Sequence, residues 1–265
     1  MRVAIAGAAG RMGRTLIEAV LRSGDLSLAA ALEVPGHPQL GRDAGEPLGT
    51  PCGATLAADI AAAVRSADCL IDFTAPQATL AHVAACVAAR KCAVIGTTGF
   101  TADDKARIAA AARAIPIAMA PNFAVGVNVT FRLAEVAARI LGDAYDVEIV
   151  EAHHRHKVDA PSGTALRLGE TVAAALGRDL KAVAVHGREG ITGERGAKDI
   201  AFHAIRGGDI VGEHTVIFAG EGERVEVTVR SGSRMTYAQG ALRAARWLAG
   251  RPAGLYDMFD VLGMK

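Results

Sequence analysis

The sequence predicts an α/β chain whose first part forms a doubly wound parallel sheet and whose second part forms a separate α+β domain. Two observations lead to this prediction. In the first half of the 265 residues, short apolar runs alternate with helix-length segments, which is the pattern of strands buried on both faces. In the second half, strand-length segments follow one another through glycine-rich loops, which favours a mixed, mostly antiparallel sheet. The first domain is therefore expected to be Rossmann-like.

In the first half, the short apolar runs place the strands and the longer segments between them place the helices. The segment 33–53 is rich in Gly and Pro and is expected to be a long loop. The expected strands are 2–6, 26–32, 69–73, 92–96 and 115–120, and the expected helices are 11–23, 57–65, 77–89 and 102–114.

The second half is expected to contain more strands than helices. Several strand faces look apolar, as at Val216 and Val227, so one face of this sheet is expected to pack against another subunit. The expected helices are 127–141, 163–176 and 236–249, and the expected strands are 146–152, 182–186, 200–205, 210–218 and 224–230.

The composition argues against several kinds of partner. Lys and Arg total 29 and Asp and Glu total 28, so a net charge of +1 gives no surplus for binding nucleic acid or an anionic membrane. An aromatic share of 4% argues against base-stacking surfaces. No apolar run reaches the length of a membrane span, no signal peptide is expected, and the four cysteines form no C-x-x-C pair. We therefore expect a cytoplasmic protein with free thiols and with neither nucleic-acid nor membrane partners.

The glycine loop after the first strand predicts a dinucleotide site. Gly7-Ala8-Ala9-Gly10-Arg11-Met12-Gly13 has the spacing G-x-x-G-x-x-G, between a strand and a helix. Small residues let the backbone approach a pyrophosphate, and the helix N-terminus offers free N–H groups. Glu33, about twenty positions further on, stands where an acid accepts from a ribose hydroxyl. The alternative is a tight strand–helix turn without a ligand.

Two further turns are expected at the same edge of the sheet, because the carboxyl ends of parallel strands meet there. Gly96-Thr97-Thr98-Gly99 follows one strand, and Ala120-Pro121-Asn122-Phe123 follows the next. Each alone is more often only a turn. Together they would line a nicotinamide site.

The densest chemical signal is the segment 151–164, EAHHRHKVDAPSGT. Its three histidines and two cations repel one another unless an anion compensates them. Ser162, after Pro161, is a natural helix N-cap, so Ser162, Gly163 and Thr164 are expected to present hydroxyls and N–H groups to an anion. A metal site is the first alternative, but His153 and His154 would point to opposite faces of a strand. A solvated basic loop is the second. Acid–base catalysis with anion binding is the reading we favour, and no metal is expected.

At these residues the chain resembles the dihydrodipicolinate reductase family of lysine biosynthesis. Residues 151–166 resemble the family signature without a gap, and segments 94–100, 122–128, 188–190, 193–195 and 208–214 match its style. The resemblance implies NADH- or NADPH-dependent reduction of 4-hydroxy-tetrahydrodipicolinate (dihydrodipicolinate) to tetrahydrodipicolinate in the lysine and diaminopimelate pathway. It also implies a homotetramer. The alternatives are another two-domain NAD(P)-dependent amino- or imino-acid dehydrogenase and, outside enzymes, a nicotinamide-sensing regulatory module.

The resemblance also implies roles for individual residues and an organisation for the chain. The proton donor falls on His153 and the second catalytic residue on Lys157. Residues 1–124 and 235–265 would form the dinucleotide-binding domain, and 125–234 the substrate-binding and oligomerisation domain. Val34 stands where some members carry an arginine that can hold a 2′-phosphate, so NADH is expected to serve at least as well as NADPH. The implied substrate contacts are His154, Lys157, Ser162, Gly163 and Thr164; the implied cofactor contacts are Gly7, Ala8, Ala9, Gly10, Arg11, Met12, Glu33, Gly96, Thr97, Thr98, Ala120, Pro121, Asn122 and Phe123.

Overall fold

The computed structural model describes all 265 residues, which form two compact units. Unit 1 comprises Met1–Val125 together with Arg234–Lys265, and unit 2 comprises Gly126–Ser233. None of the helices has the length and apolar character needed to cross a membrane. The strands are β1 (Arg2–Ala6), β2 (Ser27–Leu32), β3 (Leu56–Ala57), β4 (Cys69–Asp72), β5 (Cys92–Ile95), β6 (Pro116–Met119), β7 (Asp146–His153), β8 (Ala184–His186), β9 (Ile200–Arg206), β10 (Gly212–Ala219), β11 (Arg224–Ser231) and β12 (Gly254–Tyr256). The helices are α1 (Arg11–Leu21), α2 (Ile60–Ser66), α3 (Pro76–Ala89), α4 (Ala102–Ala111), α5 (Val125–Leu141), α6 (Gly163–Ala175), α7 (Leu180–Val183), α8 (Met235–Leu248) and α9 (Met258–Leu262).

Unit 1 contains a seven-stranded parallel sheet in the order β12-β6-β5-β4-β1-β2-β3. Its central strands are apolar on both faces because helices cover both. Helices α1 and α8 pack on one face, and α2, α3 and α4 pack on the other. The strand order reverses between β1 and β4, and open α/β sheets bind ligands in the crevice at such a reversal. The predicted Rossmann-like sheet is confirmed.

Three elements of unit 1 were not predicted, because each is too short to show a period, and one of them contains Ala57 of the predicted helix 57–65, which begins only at Ile60. These are β3, β12 and α9, of two, three and five residues. Only α9 has a sequence signal, which is the pair of aspartates three residues apart, Asp257 and Asp260. In the structure the Asp257 side chain accepts from the N–H groups of Phe259 and Asp260, and the Asp260 side chain accepts from the Asp257 N–H. This reciprocal pair is a capping box at the start of the helix.

The segment 33–53 is mainly loop, as predicted, with one 3₁₀ turn at Glu46–Leu48. The Asp43 carboxylate holds it together by accepting the N–H groups of Gly45, Cys52 and Gly53. All four cysteines of the chain are free.

Unit 2 contains a five-stranded sheet in the order β11-β10-β7-β9-β8. The sheet is mixed, as predicted, and more of its residue pairs lie in antiparallel than in parallel ladders. The pairs β10–β11 and β10–β7 are antiparallel, whereas β7–β9 and β8–β9 are parallel. The parallel pairs are possible because long connections separate these strands: α6 and α7 lie between β7 and β8, and the loop 187–199 lies between β8 and β9.

Two predicted strands of unit 2 begin two residues too early: 210–218, since β10 begins at Gly212, and 182–186. The segment 182–186 starts inside α7, and β8 begins only at Ala184. The Asp179 side chain accepts from the Lys181 N–H and caps this four-residue helix.

Candidate active site

The glycine loop between β1 and α1 has the geometry of an anion cradle. Gly7 adopts a φ of +65°, which a glycine permits without strain, and the Gly10 N–H donates to the Gly7 carbonyl at 3.0 Å. Gly13 must be a glycine because a Cβ there would overlap the Gly7 carbonyl oxygen and the Ala8 backbone. Helix α1 has no side-chain cap and no acidic residue in its first turn, so its N–H groups remain available to an anion.

Glu33 lies at the end of β2, beside the glycine loop. One carboxylate oxygen accepts the Ala9 N–H at 3.1 Å, and the other accepts the Val34 N–H at 2.9 Å. The backbone therefore holds this acid in place. Val34 is 57% exposed and Arg11 is exposed, so both side chains are accessible near this acid and the start of α1. These features fit the adenosine end of a dinucleotide.

The turns after β5 and β6 meet at one cavity of about 510 Å³. Four residues predicted from sequence line it: Thr97, Thr98, Ala120 and Pro121. Sequence reasoning missed Lys105, Leu255, Tyr256 and Asp257, which also line the cavity, because α4, β12 and the turn after β12 reach it from distant parts of the chain.

Three predicted cofactor residues of these two turns do not line the cavity, and neither do those of the glycine loop or Glu33. Phe123 is 1% exposed and packs in the core, with its ring centroid 5.5 Å from that of Phe73. Gly96 makes room for the Phe73 ring, which a Cβ would strike. The Asn122 side chain accepts the Ala124 N–H at 2.8 Å and so shapes the turn.

A buried polar network that sequence reasoning missed lies below the Thr97 turn. Asp72, at the end of β4, contacts the His82 Nδ1 at 2.8 Å and accepts from the Thr74 hydroxyl at 2.6 Å. The Thr79 hydroxyl and the Thr74 N–H donate to Thr97 Oγ1 at 2.8 and 3.0 Å. Burial by itself raises the pKa of Asp72, but the hydrogen bonds from His82 and Thr74 outweigh it, and the pKa lies below its ordinary value. The network ties the turn after β4 to the turn after β5.

In unit 2, three strands bring four ionisable side chains together. His153 ends β7, and Glu151 lies two residues earlier on the same face of the strand. In the β9 register Arg206 stands opposite His153, and in the β10 register His214 stands opposite Glu151. The rings of His153 and His214 lie edge to face, with centroids 5.1 Å apart.

Glu151 is the centre of this cluster, with only 1% of its surface exposed. Its carboxylate contacts the His153 Nδ1 at 2.6 Å, accepts two N–H groups of Arg206 at 2.7 Å each, and accepts the Ser162 N–H at 3.1 Å. Burial by itself raises the pKa of Glu151, but the bonds from Arg206 and His153 outweigh it and hold the pKa below its ordinary value. Glu151 is therefore an ionised acceptor.

The two imidazoles respond differently to the same surroundings. Burial lowers the pKa of His153, and the neighbouring Glu151 carboxylate opposes that shift. Burial lowers the pKa of His214 to about 4, so this ring is neutral near pH 7. His214 Nε2 lies 3.0 Å from the Ser162 hydroxyl, and its buried Nδ1 has no hydrogen-bond partner.

The segment after β7 leads into α6, whose N-cap is Ser162, as predicted. The Ser162 hydroxyl accepts the Ala165 N–H at 3.2 Å. Ser162 is 2% exposed, so its hydroxyl is committed to the helix and to His214, whereas Gly163 is exposed at the helix start. Thr164 and His154 are half-buried.

Lys157 is paired with a neighbour that the sequence did not single out. Its Nζ donates to both carboxylate oxygens of Asp159, at 2.8 and 2.9 Å. The hydrogen bond from Lys157 lowers the pKa of Asp159. Arg155 and His156 are exposed, and no group of three or more His, Cys, Asp or Glu side chains is placed to hold a metal ion.

Comparison with known proteins identifies the family. The model "Dihydrodipicolinate reductase, N-terminus" matches residues 1–123, and "Dihydrodipicolinate reductase, C-terminus" matches residues 126–262. The 4-hydroxy-tetrahydrodipicolinate reductase of Aromatoleum aromaticum is 63% identical over 265 residues, covering 100% of this chain and 96% of the relative. That of Dechloromonas aromatica is 61% identical over 264 residues, covering 100% and 98%. The chain belongs to the dihydrodipicolinate reductase family.

A solved structure agrees with this assignment. The dipicolinate-bound dihydrodipicolinate reductase from Paenisporosarcina sp. TG-14 superposes with a TM-score of 0.79 at 27% identity and covers 98% of both chains. Members of this family are pyridine-nucleotide-dependent oxidoreductases, and this chain is one as well. The uncapped start of α1, the obligatory Gly13 and the anchored Glu33 all fit such a cofactor.

Proposed function

We propose that the chain catalyses the NADH- or NADPH-dependent reduction of 4-hydroxy-tetrahydrodipicolinate to tetrahydrodipicolinate, in the lysine and diaminopimelate pathway. The observation that carries the proposal is the cluster at the end of β7. There the Nδ1 of His153 contacts the buried Glu151 carboxylate, and the same segment contains Lys157 and the exposed start of α6. Unit 1 is the cofactor-binding unit in this proposal, and unit 2 is the substrate-binding unit.

The substrate is a small dianion, which explains why cations and a helix N-terminus crowd this segment. Lys157 supplies positive charge and His154 a ring N–H donor for one carboxylate, and Gly163 and Thr164 at the start of α6 supply N–H groups for the other. Ser162 contributes by fixing that helix start. Asp159 must release Lys157 when the substrate carboxylate takes its place.

The reaction adds a hydride and a proton and releases the 4-hydroxyl group as water. A reduced nicotinamide, when bound, supplies the hydride. His153 Nε2 donates the proton to the ring position that becomes electron-rich, because Nδ1 is held by Glu151 and Nε2 has no protein partner. Lys157 stabilises the negative charge that develops on the substrate.

We also propose that NADH serves at least as well as NADPH. Glu33 accepts ribose hydroxyls and repels a 2′-phosphate, and Val34 carries neither charge nor donor to offset that repulsion. Arg11 is exposed at the start of α1 and keeps NADPH acceptable, since its guanidinium can reach toward a phosphate.

The test is oxidation of NADH in the presence of freshly formed 4-hydroxy-tetrahydrodipicolinate. Rapid turnover is expected with this substrate and not with a panel of linear and cyclic amino or imino acids. Turnover of a panel member instead would favour the alternative amino- or imino-acid dehydrogenase. Binding of NADH without turnover of any substrate would favour a sensing module.

The assembly is proposed to be a cytoplasmic homotetramer formed through the sheet of unit 2. Most of β11 is exposed, and Ile205 and Val225 expose 51% and 39% of their surface. Free cysteines fit a reducing compartment. Light scattering at micromolar concentration should give four chain masses, and a monomeric mass would contradict the proposal.

A further inference from the structure

We propose that Glu151 is a positioning residue, which orients His153 for proton donation and sustains its protonated form, and that Arg206 limits how strongly it does so. The proposal rests on the proposed function only in taking His153 as the proton donor. Glu151 and Arg206 need not contact the substrate; they act through the imidazole.

The strand register makes this arrangement specific to the fold. Glu151 and His153 share one face of β7, and Arg206 is the β9 residue that stands opposite His153. Arg206 also donates to the carbonyl groups of Ile205 and Asp159, at 2.7 Å each, so it is fixed at both ends of its guanidinium. The carboxylate therefore has a single orientation, which places one oxygen at 2.6 Å from the His153 Nδ1.

This geometry determines where the protons of His153 reside. The carboxylate already accepts two N–H groups of Arg206 and one of Ser162, which favours its ionised form. An ionised carboxylate can only accept, so the His153 Nδ1 carries a proton in both charge states. The nitrogen that gains and loses a proton when the ring titrates is therefore Nε2.

The other ring nitrogen of His153, Nε2, is uncovered because residue 212 is a glycine. A Cβ on that residue would lie 3.2 Å from His153 Nε2, so any side chain there would crowd the nitrogen. Nε2 has no hydrogen-bond partner in the chain. The imidazole is thus held on one side and free on the other, as a proton donor requires.

The charges around His153 come from four elements. Glu151 on β7 favours the imidazolium, whereas Arg206 on β9 and Lys157 in the loop after β7 disfavour it. His214 on β10 is neutral near pH 7 because burial lowers its pKa to about 4. Removing Glu151 should therefore lower the pKa of His153, and removing Arg206 should raise it. A merely structural role would not give shifts of opposite sign.

The experiment compares Glu151→Gln, Glu151→Asp and Arg206→Gln with the unaltered enzyme. The donor must be protonated, so kcat falls as pH rises through the pKa of His153. We expect Glu151→Gln to lower kcat by roughly 10- to 100-fold, a part of the effect of losing a positioned acid, and to move the alkaline limb down by about one pH unit. Arg206→Gln should move that limb up. Glu151→Asp should recover part of the activity, and the Kd of NADH should stay unchanged in all three.

Glu148→Gln is the matched control. Glu148 lies on β7 three residues before Glu151, is paired with Arg188, Arg195 and His203, and is not in contact with His153. It should leave the alkaline limb in place. An equal shift in Glu148→Gln, or limbs that move in the same direction in Glu151→Gln and Arg206→Gln, would overturn the proposal.

A second readout does not depend on turnover. Nitrogen-15 NMR of histidine-labelled protein reports the tautomer and pKa of His153, assigned by its disappearance in His153→Gln. Opposite pKa shifts in the two variants support the positioning role even if the proposed substrate is not reduced. An unprotonated Nδ1 in the unaltered protein, or an unchanged pKa in both variants, would refute it even if the substrate is reduced. If Glu151→Gln does not fold, Glu151→Asp and Arg206→Gln still give the comparison.

Discussion

The chain contains two buried carboxylate–imidazole pairs, one in each unit. Asp72 and His82 lie 2.8 Å apart in unit 1, and Glu151 and His153 lie 2.6 Å apart in unit 2. Each acid belongs to a strand of a sheet and is 1% exposed. By distance and burial alone the two pairs could not be told apart.

Their remaining partners distinguish them. Asp72 is also bonded to the hydroxyl and N–H of Thr74, so its surroundings are hydroxyl groups that tie two turns together. Glu151 has a bidentate arginine, and its histidine stands beside Gly212, which leaves a ring nitrogen uncovered. A buried acid–histidine pair therefore indicates proton transfer only when two conditions hold. The second nitrogen of the imidazole is accessible, and neighbouring charges adjust the pKa of the ring.

The largest expected effect is on kcat, and it concerns the pair in unit 2, whose histidine is the proposed proton donor. His153→Ala and Lys157→Ala should each lower kcat by about 10²–10⁴-fold, the usual range for a positioned acid, with the Kd of NADH near normal because the proposed cofactor residues lie in unit 1. The exposed His156→Ala is the control within the same segment. Calorimetric loss of NADH affinity with kcat retained would show that the assigned roles are wrong.

The same contrast explains what the sequence could predict. The glycine loop, the capping Ser162 and most strands and helices were predictable because a few neighbouring residues determine each of them. Glu151 stands next to the signature histidines, but its partner Arg206 lies 55 residues away and reaches it only through the β7–β9 register. Asp72 and Thr97 are likewise 25 residues apart and joined by strand pairing. Such contacts have no local period or spacing.

At the proposed adenosine end of the cofactor site, Glu33 is held by the backbone N–H groups of Ala9 and Val34, so one added cationic side chain beside it should have a clear effect. Val34→Arg should shift the ratio of kcat/KM toward NADPH by roughly 1.5–3 kcal/mol, the contribution of a charge-assisted hydrogen bond, or about 10- to 150-fold. Val34→Gln controls for side-chain length without charge. A strong initial preference for NADPH that neither substitution changes would show that Glu33 and Val34 do not set the choice.

Removing the partner of Asp72 should affect stability rather than chemistry. His82→Leu leaves a buried carboxylate without its imidazole and should cost roughly 1–3 kcal/mol in the free energy of unfolding, with kcat largely retained at saturating NADH. The pKa of Asp72 is lowered in the folded protein, so its stabilisation is present at neutral pH and is lost as pH falls through the folded pKa.

Without His82 that pKa rises, and the acid unfolding transition should move to higher pH. Urea unfolding across the acid range measures this, with Asp68→Asn as a control, since Asp68 forms a more exposed pair with Arg2. An unchanged acid transition in His82→Leu would mean that the imidazole does not stabilise the carboxylate, and a loss of kcat as large as in His153→Ala would remove the distinction between the two pairs.

The smallest expected effect concerns the carboxylate that pairs with Lys157. Asp159 is 57% exposed at its side chain, and an exposed ion pair contributes only about 0.2–1 kcal/mol. If a substrate carboxylate must displace Asp159 from Lys157, Asp159→Asn should lower the KM of the dicarboxylate by up to about fivefold, with kcat nearly unchanged. The effect should shrink as salt screens the pair. Asp209→Asn removes another exposed carboxylate of unit 2 and should leave the KM in place. A higher KM in Asp159→Asn would mean that Asp159 holds Lys157 in its working position. Asp159 would then orient Lys157 for the substrate, as Glu151 is proposed to orient His153, rather than compete with the substrate carboxylate for it.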